Sequence, residues 1–309
     1  MQFLAGVGAA GRVSVAGYVG GGDSGGTNLS GIDKITFPAD TKTTLSATLS
    51  NIKNFLGSMA NSGVAGYFGG GQGAVRYSEI DKITFPADTK TTLSATLSST
   101  VTQLTGMANS GVAGYFNGGY DTPSYLSRID KITFPADSKS TLSATLTTTN
   151  ARHAAMANSG VAGYVGGGDN GTYFDRIDKI AFSADTKTVL SATLTTAVYD
   201  PAGMANSGVA GYFGAGYDDI TFKTAVDKIA FPSDTKTTLA ATLTVGGRIG
   251  SGGMADTGVA GYFCGGNNGS GDIDTIDKIT FPADTKTTLS AVLTQVKNYT
   301  GSCADCGVF

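Results

Sequence analysis

Short apolar runs, each stopped by turn residues, follow one another along the whole chain, without the 3.6-residue spacing of an amphipathic helix. Around residue 110 this pattern predicts four strands, A to D: Gly106–Ala108, Val112–Phe116, Ile129–Phe134 and about Ser140–Leu146. Asn-Ser-Gly separates A from B, Gly118-Gly119 ends B, and a turn that begins with Pro135 leads into D. Runs this short, joined by tight turns, are typical of antiparallel strands.

The same four-strand pattern occurs six times. The phrase Val-Ala-Gly-Tyr begins at Val15, Val64, Val112, Val161, Val209 and Val259, and Asp-Lys-Ile-(Thr/Ala)-Phe follows in every copy. A four-stranded sheet of this size cannot bury both faces alone, so the copies must cover one another. Four strands in a period of about fifty residues are typical of a propeller blade. The sequence therefore predicts an all-β protein, a single six-bladed β-propeller over residues 1–309 with four antiparallel strands per blade.

Two segments compete for the inner strand of the first blade. Residues 302–306 align with strand A, and residues 307–309 then restart the strand B phrase. Residues 7–10 align with strand A as well. The C-terminal residues 302–309 are thus one candidate for completing the first blade, and a chain cut from a longer repeat array is another interpretation.

The repeat also resembles a known family. Tyr115-Phe116-Asn117-Gly118-Gly119-Tyr120 resembles the aromatic-Gly-Gly corner of the kelch repeat, residues 129–135 resemble its third strand, and Arg152-His153 resembles the pair that opens many kelch blades. The tryptophan of kelch strand D is missing from every copy, and the arginine occurs in only a few copies (Arg12, Arg152, Arg248). The kelch-like resemblance implies an architecture and no particular function, because one fold hosts many activities.

A second resemblance concerns location. Gly-Tyr-Phe-Gly-Gly-Gly and Asp-Lys-Ile-Thr-Phe-Pro are similar to repeats in phage tail-fibre proteins and in surface proteins of aquatic bacteria. This resemblance implies a place on a virion, or an extracellular or cell-surface place.

Charge and hydropathy exclude two partner classes. The net charge is −3, whereas a nucleic-acid binder needs a concentrated basic patch. No apolar run approaches the roughly 20 residues that span a bilayer, and the first residues lack the basic start of a secretory signal. We therefore expect no nucleic-acid partner and no membrane insertion.

Residues that could perform catalysis or bind metal are scarce. The chain has one histidine, His153, and one glutamate, Glu79, and the CxxC pair Cys303 and Cys306 lacks further zinc ligands. The six Asp-Lys pairs either surround a metal or anion at the axis or satisfy each other between blades. The loop from Asn267 to Asp274 offers hard oxygen ligands for calcium but no bidentate glutamate. We expect no catalytic residues, and no cofactor apart from this calcium candidate.

The two ends of the predicted propeller differ in how the copies vary. The A–B and C–D turns of one face are nearly constant, whereas the B–C and D–A loops of the other face share almost nothing. Neutral drift of loops is one explanation, and a recognition surface on a rigid scaffold is the other. The loops are rich in Tyr and Arg, which favours recognition. The candidate ligand-binding residues are Arg76, Tyr77, Tyr120, Asp121, Tyr125, Arg128, Arg152, His153, Tyr173, Phe174, Tyr199, Tyr217, Asp218, Asn267 and Tyr299.

These observations favour a non-enzymatic recognition module that binds a glycan or a protein on a cell surface. A structural spacer or assembly subunit of a virion or surface filament is the alternative. A propeller enzyme is the third hypothesis.

Overall fold

A computed structural model describes residues 15–244 and 246–305 and shows an all-β protein. Six four-stranded antiparallel sheets, each in the order A-B-C-D, form six blades, which confirms the predicted β-propeller. From blade one to blade six, strand A is Gly301–Ala304, Gly57–Asn61, Thr105–Asn109, Ala154–Asn158, Tyr199–Asn206 and Gly252–Asp256. Strand B is Val15–Gly20, Ala65–Gly69, Ala113–Asn117, Ala162–Gly166, Ala210–Tyr217 and Ala260–Asn267.

The outer half of each blade is equally regular. Strand C is Ile32–Phe37, Ile80–Thr84, Ile129–Thr133, Ile177–Ala181, Val226–Ala230 and Asp272–Thr280. Strand D is Thr41–Thr44, Lys90–Thr92, Ser138–Thr141, Thr186–Val189, Thr235–Thr238 and Thr285–Thr288. Two small hairpins lie in the B–C loops of blades one and three: Asp23–Ser24 with Thr27–Asn28, and Tyr120–Asp121 with Ser124–Tyr125.

Strand A of every blade lines the axis, because each strand A contacts the strands A of both neighbouring blades around a closed circle. These strands are rich in Gly and Ala, and the crowding explains why. A methyl group at Gly203 would collide with the Ala155 carbonyl of the preceding blade. Small residues therefore let six backbones approach one another around a narrow centre.

The first blade is assembled from both ends of the described chain. Gly301–Ala304 pairs antiparallel with Val15–Gly20, with Cys303 opposite Tyr18. Residues 7–10, Arg12 and Cys306 lie outside the described residues. Strand A of blade one contacts strand A of blades six and two, so this pairing closes the circle.

Strand D is shorter than predicted. The expected strand from Ser140 to Leu146 is wrong, and the strand of blade three is Ser138–Thr141. Beyond it the Leu142 amide donates to the Ile129 carbonyl at 2.9 Å, and the Leu146 amide donates to Ser127 at 2.8 Å. The chain therefore bends away from strand C while its leucines still pack inward, which an apolar pattern alone cannot distinguish from a longer strand.

The Asp-Lys pairs join blades. Lys131 of strand C contacts Asp185 of the next blade at 2.6 Å, and the Tyr115 hydroxyl donates to the same carboxylate at 3.0 Å. Tyr115 also stacks on Phe182 of that blade, with 5.1 Å between ring centroids. The same three-residue joint occurs at all six interfaces, with the lysine–aspartate pairs Lys34–Asp88, Lys82–Asp137, Lys131–Asp185, Lys179–Asp234, Lys228–Asp284 and Lys278–Asp40. The alternative of an ion-binding ring at the axis is wrong, because strand C lies third from the axis.

The aspartate of the same phrase joins the blades at a second point. Asp130 accepts hydrogen bonds from the Ser98 amide at 2.9 Å, the Ser98 hydroxyl at 2.7 Å and the Thr141 hydroxyl at 2.7 Å. Burial acts to raise the pKa of Asp130, but these bonds and Arg128 outweigh it and lower the pKa. The buried carboxylate is thus satisfied jointly by the preceding blade and by strand D of its own blade.

The nearly constant A–B turns also interlock. The Gly111 amide donates to the side-chain oxygen of Asn61 in the preceding blade at 2.8 Å, and Gly160 donates to Asn109 in the same way at 2.9 Å. Asn-Ser-Gly is therefore repeated at this end of the propeller for a structural reason.

Candidate functional site

Six equivalent residues lie around the axis where the D–A loops lead into strand A, and we call them the inner ring. All six have the left-handed backbone conformation, with φ between 50° and 61°. The inner ring consists of Phe55, Gln103, Arg152, Asp200, Gly250 and Tyr299.

A closed circle of backbone hydrogen bonds holds the inner ring. Each amide donates to the carbonyl of the preceding member: Gln103 to Phe55 at 2.8 Å, Arg152 to Gln103 at 2.9 Å, Asp200 to Arg152 at 2.7 Å, Gly250 to Asp200 at 3.2 Å, Tyr299 to Gly250 at 2.6 Å, and Phe55 to Tyr299 at 2.9 Å. One repeated backbone geometry thus carries six different side chains around the axis.

A second set of equivalent positions, the outer ring, lies where strand B leads into the B–C loop. Each member pairs antiparallel with a residue of the neighbouring D–A loop, or in blade five with Tyr199 of strand A. The outer ring consists of Asp23, Gln72, Tyr120, Asp169, Tyr217 and Asn267. Both rings therefore combine a constant backbone with diversified side chains.

The predicted tyrosines of blades four and five form one aromatic cluster. Tyr199 is the centre: its ring lies 5.0 Å from Tyr173 and 5.7 Å, edge-on, from Tyr217, measured between centroids. Tyr217 in turn lies 4.6 Å from Phe222. The Tyr173 hydroxyl donates to Asp219, and this bond raises the pKa of Tyr173 to about 12. All four rings are partly exposed, so each ring packs against its neighbours and also presents part of its surface to solvent.

Arg152 connects this cluster to blades three and four. It makes two hydrogen bonds to the buried Asp169, at 2.8 and 2.6 Å, and its guanidinium lies 4.2 Å from the Tyr199 ring centroid. Burial opposes the charge of Arg152, but the bonds to Asp169 outweigh it and raise the pKa. The Tyr125 hydroxyl reaches the same carboxylate at 3.5 Å.

On the blade-three side the aromatic surface continues to blade two. Tyr120 and Tyr125 are paired across their hairpin, with 5.1 Å between ring centroids. The Arg76 guanidinium lies 5.1 Å above Tyr120. The structure therefore brings seven predicted residues, from four blades, into one continuous surface: Arg76, Tyr120, Tyr125, Arg152, Tyr173, Tyr199 and Tyr217.

The inner ring surrounds an axial cavity of about 90 Å³. Five of the six ring side chains line it, together with second-row residues that include Thr105, Ser251 and Thr300. Tyr299 stacks on Phe55 at its edge, with centroids 3.8 Å apart. Asp200 is the acidic residue of the lining, and burial raises its pKa to about 7.

His153, a predicted ligand-binding residue, is not part of the exposed surface but a buried side chain that lines the axial cavity. It is only 3% exposed and packs between blades: a methyl group at Gly118 would lie 2.8 Å from its Cε1 atom. Burial lowers the pKa of His153 to about 4, so the ring is neutral at pH 7. Leu56 and Leu104 hold the equivalent position in other blades, which identifies His153 as a core side chain.

Three other predicted residues lie away from the aromatic cluster. Arg128 donates to Ser99 at 2.7 Å and approaches Asp130 at 3.4 Å, so it belongs to a blade joint. Tyr77 lies beneath the buried Lys53, 5.9 Å from its amine. The Arg176 guanidinium lies over the Phe174 ring, 3.9 Å from the ring centroid.

The remaining predicted polar residues satisfy their own loops. Asp218 accepts the Thr221 amide at 2.8 Å and pairs with Lys223, whose hydrogen bond lowers the pKa of Asp218 to about 2. Asp121 is opposite Ser124 in the backbone pairing of its hairpin.

The calcium candidate loop is bonded to itself and to blade one. The Asn267 side-chain amide donates to Asp272 at 2.8 Å, as does that of Asn298, and the Gly25 amide donates to the same carboxylate at 2.9 Å. Within residues 15–244 and 246–305, no three His, Cys, Asp or Glu residues are grouped as metal ligands. These hydrogen bonds give the polar residues of the loop a structural role, because they connect blade six to blade one.

The cysteines of the described chain are core residues. Cys303 occupies the strand A position that methionine holds in the other five blades, and burial raises its pKa. Burial also raises the pKa of Cys264 to about 12. Neither environment activates a thiol.

Sequence reasoning missed Phe55, Asp169 and Asp200. Each belongs to the inner or outer ring, and aligning the six D–A loops on Arg152 would have placed Phe55 and Asp200 at the axis. Their partners come from other blades, so the contacts themselves were not visible in the sequence.

No protein-family model matches the sequence, and no curated protein matches it. Among the described residues no helix is long and apolar enough to cross a membrane. The propeller architecture thus rests on the structure itself.

Proposed function

We propose that this protein is a non-enzymatic recognition module that binds a glycan or a protein on a cell surface through its B–C and D–A loops. The observation that carries the proposal is the continuous surface from Arg76 to Tyr217, in which aromatic rings and charged groups of four blades meet beside the axial cavity that Arg152 lines. Drift of loops gives no reason for aromatic residues of separate copies to converge.

The contacts within this surface also favour binding. Tyr199 is held between Arg152, Tyr173 and Tyr217, so its position is set before any ligand arrives. Preorganised tyrosines lose little entropy on binding and offer flat apolar faces with a polar end. Sugar rings and protein side chains both stack on such faces.

Location and chemistry complete the proposal. The resemblance of the repeats to phage tail-fibre and bacterial surface proteins supports a place on a virion or outside a cell. His153 and Glu79, the residues that an enzyme hypothesis would use, are respectively buried at a blade interface and bonded to Asn51. A hydrolase and lyase screen with His153→Ala and Glu79→Ala variants tests the enzymatic alternative.

Replacing Tyr120, Tyr173 and Tyr217 with alanine should remove selective binding. We expect a loss of roughly tenfold or more in affinity, because aromatic anchors carry much of the binding energy of a surface. Glycan arrays and biolayer interferometry on array hits or candidate surface proteins measure the effect, and thermal melting shows whether the variant stays folded.

The matched control changes three exposed valines at the opposite end, Val112, Val161 and Val209, to alanine. This control should bind like the wild type. Equal binding by the tyrosine variant, or a loss in the valine variant alone, would contradict the proposed face.

A structural spacer is the second candidate function. One observation favours it: Val64, Val112, Val161 and Val209 keep the same residue at the constant end of four blades while about half exposed, at 47 to 54%. Such a repeated apolar rim suits packing against a neighbouring subunit. A spacer would give no selective array hits, and its valine variant would fail to assemble.

A further inference from the structure

The charges at the axial cavity do not cancel. Arg152 is already paired with Asp169 through two hydrogen bonds. Asp200, which is 6% exposed, interacts electrostatically with the same Arg152, but among the described residues it forms no ion pair and its Oδ2 atom has no hydrogen-bond partner. One negative charge therefore remains uncompensated inside the cavity when Asp200 is ionised.

Other unsatisfied oxygens line the same cavity. The hydroxyl oxygens of Thr105, Ser251 and Thr300 are buried and also have no hydrogen-bond partner within residues 15–244 and 246–305. Buried polar atoms are nearly always bonded to protein, water or ligand. A carboxylate and three hydroxyls in one cavity can together accept the three protons of an ammonium group.

The aromatic rim selects an organic cation over a metal ion. Phe55 and Tyr299 line the cavity, and Tyr199 lies close enough to Asp200 to interact with it electrostatically. Calcium takes six to eight oxygen ligands, usually with several carboxylates, whereas Asp200 is a single acid. Aromatic rings beside one carboxylate are the combination that binds organic cations.

We propose that the axial cavity is a recessed pocket for a primary ammonium group, supplied by a lysine side chain of a protein partner. The volume of about 90 Å³ holds roughly six to nine water-sized groups. A lysine side chain has about five heavy atoms on an unbranched stem, and a hexosamine ring has about twice as many. The choice of lysine rests on the proposed recognition function, whereas the ammonium pocket stands without it.

Isothermal titration calorimetry with n-butylammonium chloride at pH 8 tests the pocket. The wild type should bind it saturably, and uncharged n-butanol should not bind. Asp200→Asn keeps the shape and removes the charge, so its affinity should fall by roughly tenfold or more. The matched control Asp175→Asn removes an exposed acid from a loop of the same face and should bind like the wild type.

The pH dependence gives an independent signature. Because the pKa of Asp200 is about 7, butylammonium binding should weaken as pH falls from 8 to 6, and Asp200→Asn should show no such change. The other titratable or charged groups that line the cavity or act on the carboxylate are Arg152, His153, Asp169, Tyr199 and Tyr299, and His153, with a pKa lowered to about 4, stays neutral between pH 8 and 6. Equal affinity of Asp200→Asn and wild type, equal binding of butanol, or displacement of butylammonium by stoichiometric calcium overturns the pocket.

Peptides identify the source of the ammonium. A lysine-containing peptide should bind in an Asp200-dependent way, and its norleucine counterpart should not. If chitosan oligomers show that dependence and lysine peptides do not, the lysine assignment is overturned. If butylammonium binding depends on Asp200 while arrays and surface proteins give no ligand, the recognition function fails and the pocket stands.

Discussion

At the residue scale, the inner ring has an unusual backbone. Five of its six members are not glycine, yet all have positive φ. This conformation costs non-glycine residues of order 1 kcal/mol and persists where the surrounding structure determines it. Here the circle of amide–carbonyl bonds does so. Such positions concentrate at binding sites, which agrees with the proposal for this end of the axis.

Two buried titratable groups near the axis should oppose each other in stability. The pKa of His153 is lowered from 6.5 to about 4, so its stabilising contribution is present above pH 6.5 and is lost as pH falls towards 4. The pKa of Asp200 is raised from 3.8 to about 7, so its contribution is present below pH 3.8 and is lost as pH rises towards 7. Each shift corresponds to about 3–4 kcal/mol at most.

Single substitutions should separate the two opposed pH dependences of the free energy of unfolding. Asp200→Asn should lose stability as pH falls from 6.5 to 4, because His153 alone then titrates. His153→Leu places the residue found at the equivalent positions Leu56 and Leu104, and this variant should gain stability as pH falls from 6.5 to 4. Urea unfolding at several pH values measures both, with Asp175→Asn as the control. Parallel pH profiles for all the variants would contradict the opposed contributions.

At the element scale, the strands were predicted from short apolar runs that turn residues bring to an end. The predicted strand C, Ile129–Phe134, differs from the observed Ile129–Thr133 by one residue. The predicted end of strand D was wrong because the chain bends after Leu142: the Leu142 amide still bonds to Ile129 of strand C, whereas the Leu146 amide bonds to Ser127 of a loop. Burial of an apolar side chain does not require a strand, and only the hydrogen-bond partners distinguish the two.

The blade joints give a prediction that the repeat itself can check. Asp137→Ala removes the acceptor of both Lys82 and Tyr67, which bond to it at 2.6 and 2.8 Å. We expect a loss of roughly 1–3 kcal/mol, since two partly buried donors are left unpaired. Asp88→Ala and Asp185→Ala should cost the same within about 0.5 kcal/mol, because the geometry of the joint is repeated. Urea unfolding measures the losses, and unequal values would contradict equivalent joints.

At the scale of the whole molecule, closure depends on the short strand Gly301–Ala304. It supplies strand A of blade one and contacts the inner strands of both neighbouring blades. Without it, strand B of blade one would present an unpaired edge to solvent. The two ends of the described chain are therefore joined by one antiparallel pairing.

Deleting residues 301–309 should lower the melting temperature by roughly 10 °C or more, because the circle of blades is opened at its inner layer. The matched control deletes residues 306–309 and leaves the paired strand intact. Circular dichroism and ANS fluorescence follow the melting and the exposure of apolar surface. Identical melting curves for the two deletions would show that closure does not require this strand.

The candidate site was predictable in part. Tyrosine and arginine in the variable loops led to the prediction that their side chains share one end of the propeller, and Arg152, Tyr173, Tyr199 and Tyr217 do meet there. His153 was misplaced because a polar residue in a loop segment also fits a core position between blades. Asp200 was missed because its importance comes from charges that other blades supply.

By itself, the sequence determined the repeat, the number of blades and the antiparallel strands, because turn residues and apolar periodicity act locally and were copied six times. The tertiary structure decided which end of the chain pairs with Val15–Gly20, which of the polar residues are exposed and which are buried. It also created the inner ring, in which five hydrogen bonds join residues about fifty positions apart and the sixth joins Phe55 to Tyr299. Such distant contacts depend on how the blades meet, and local sequence patterns carry no record of that geometry.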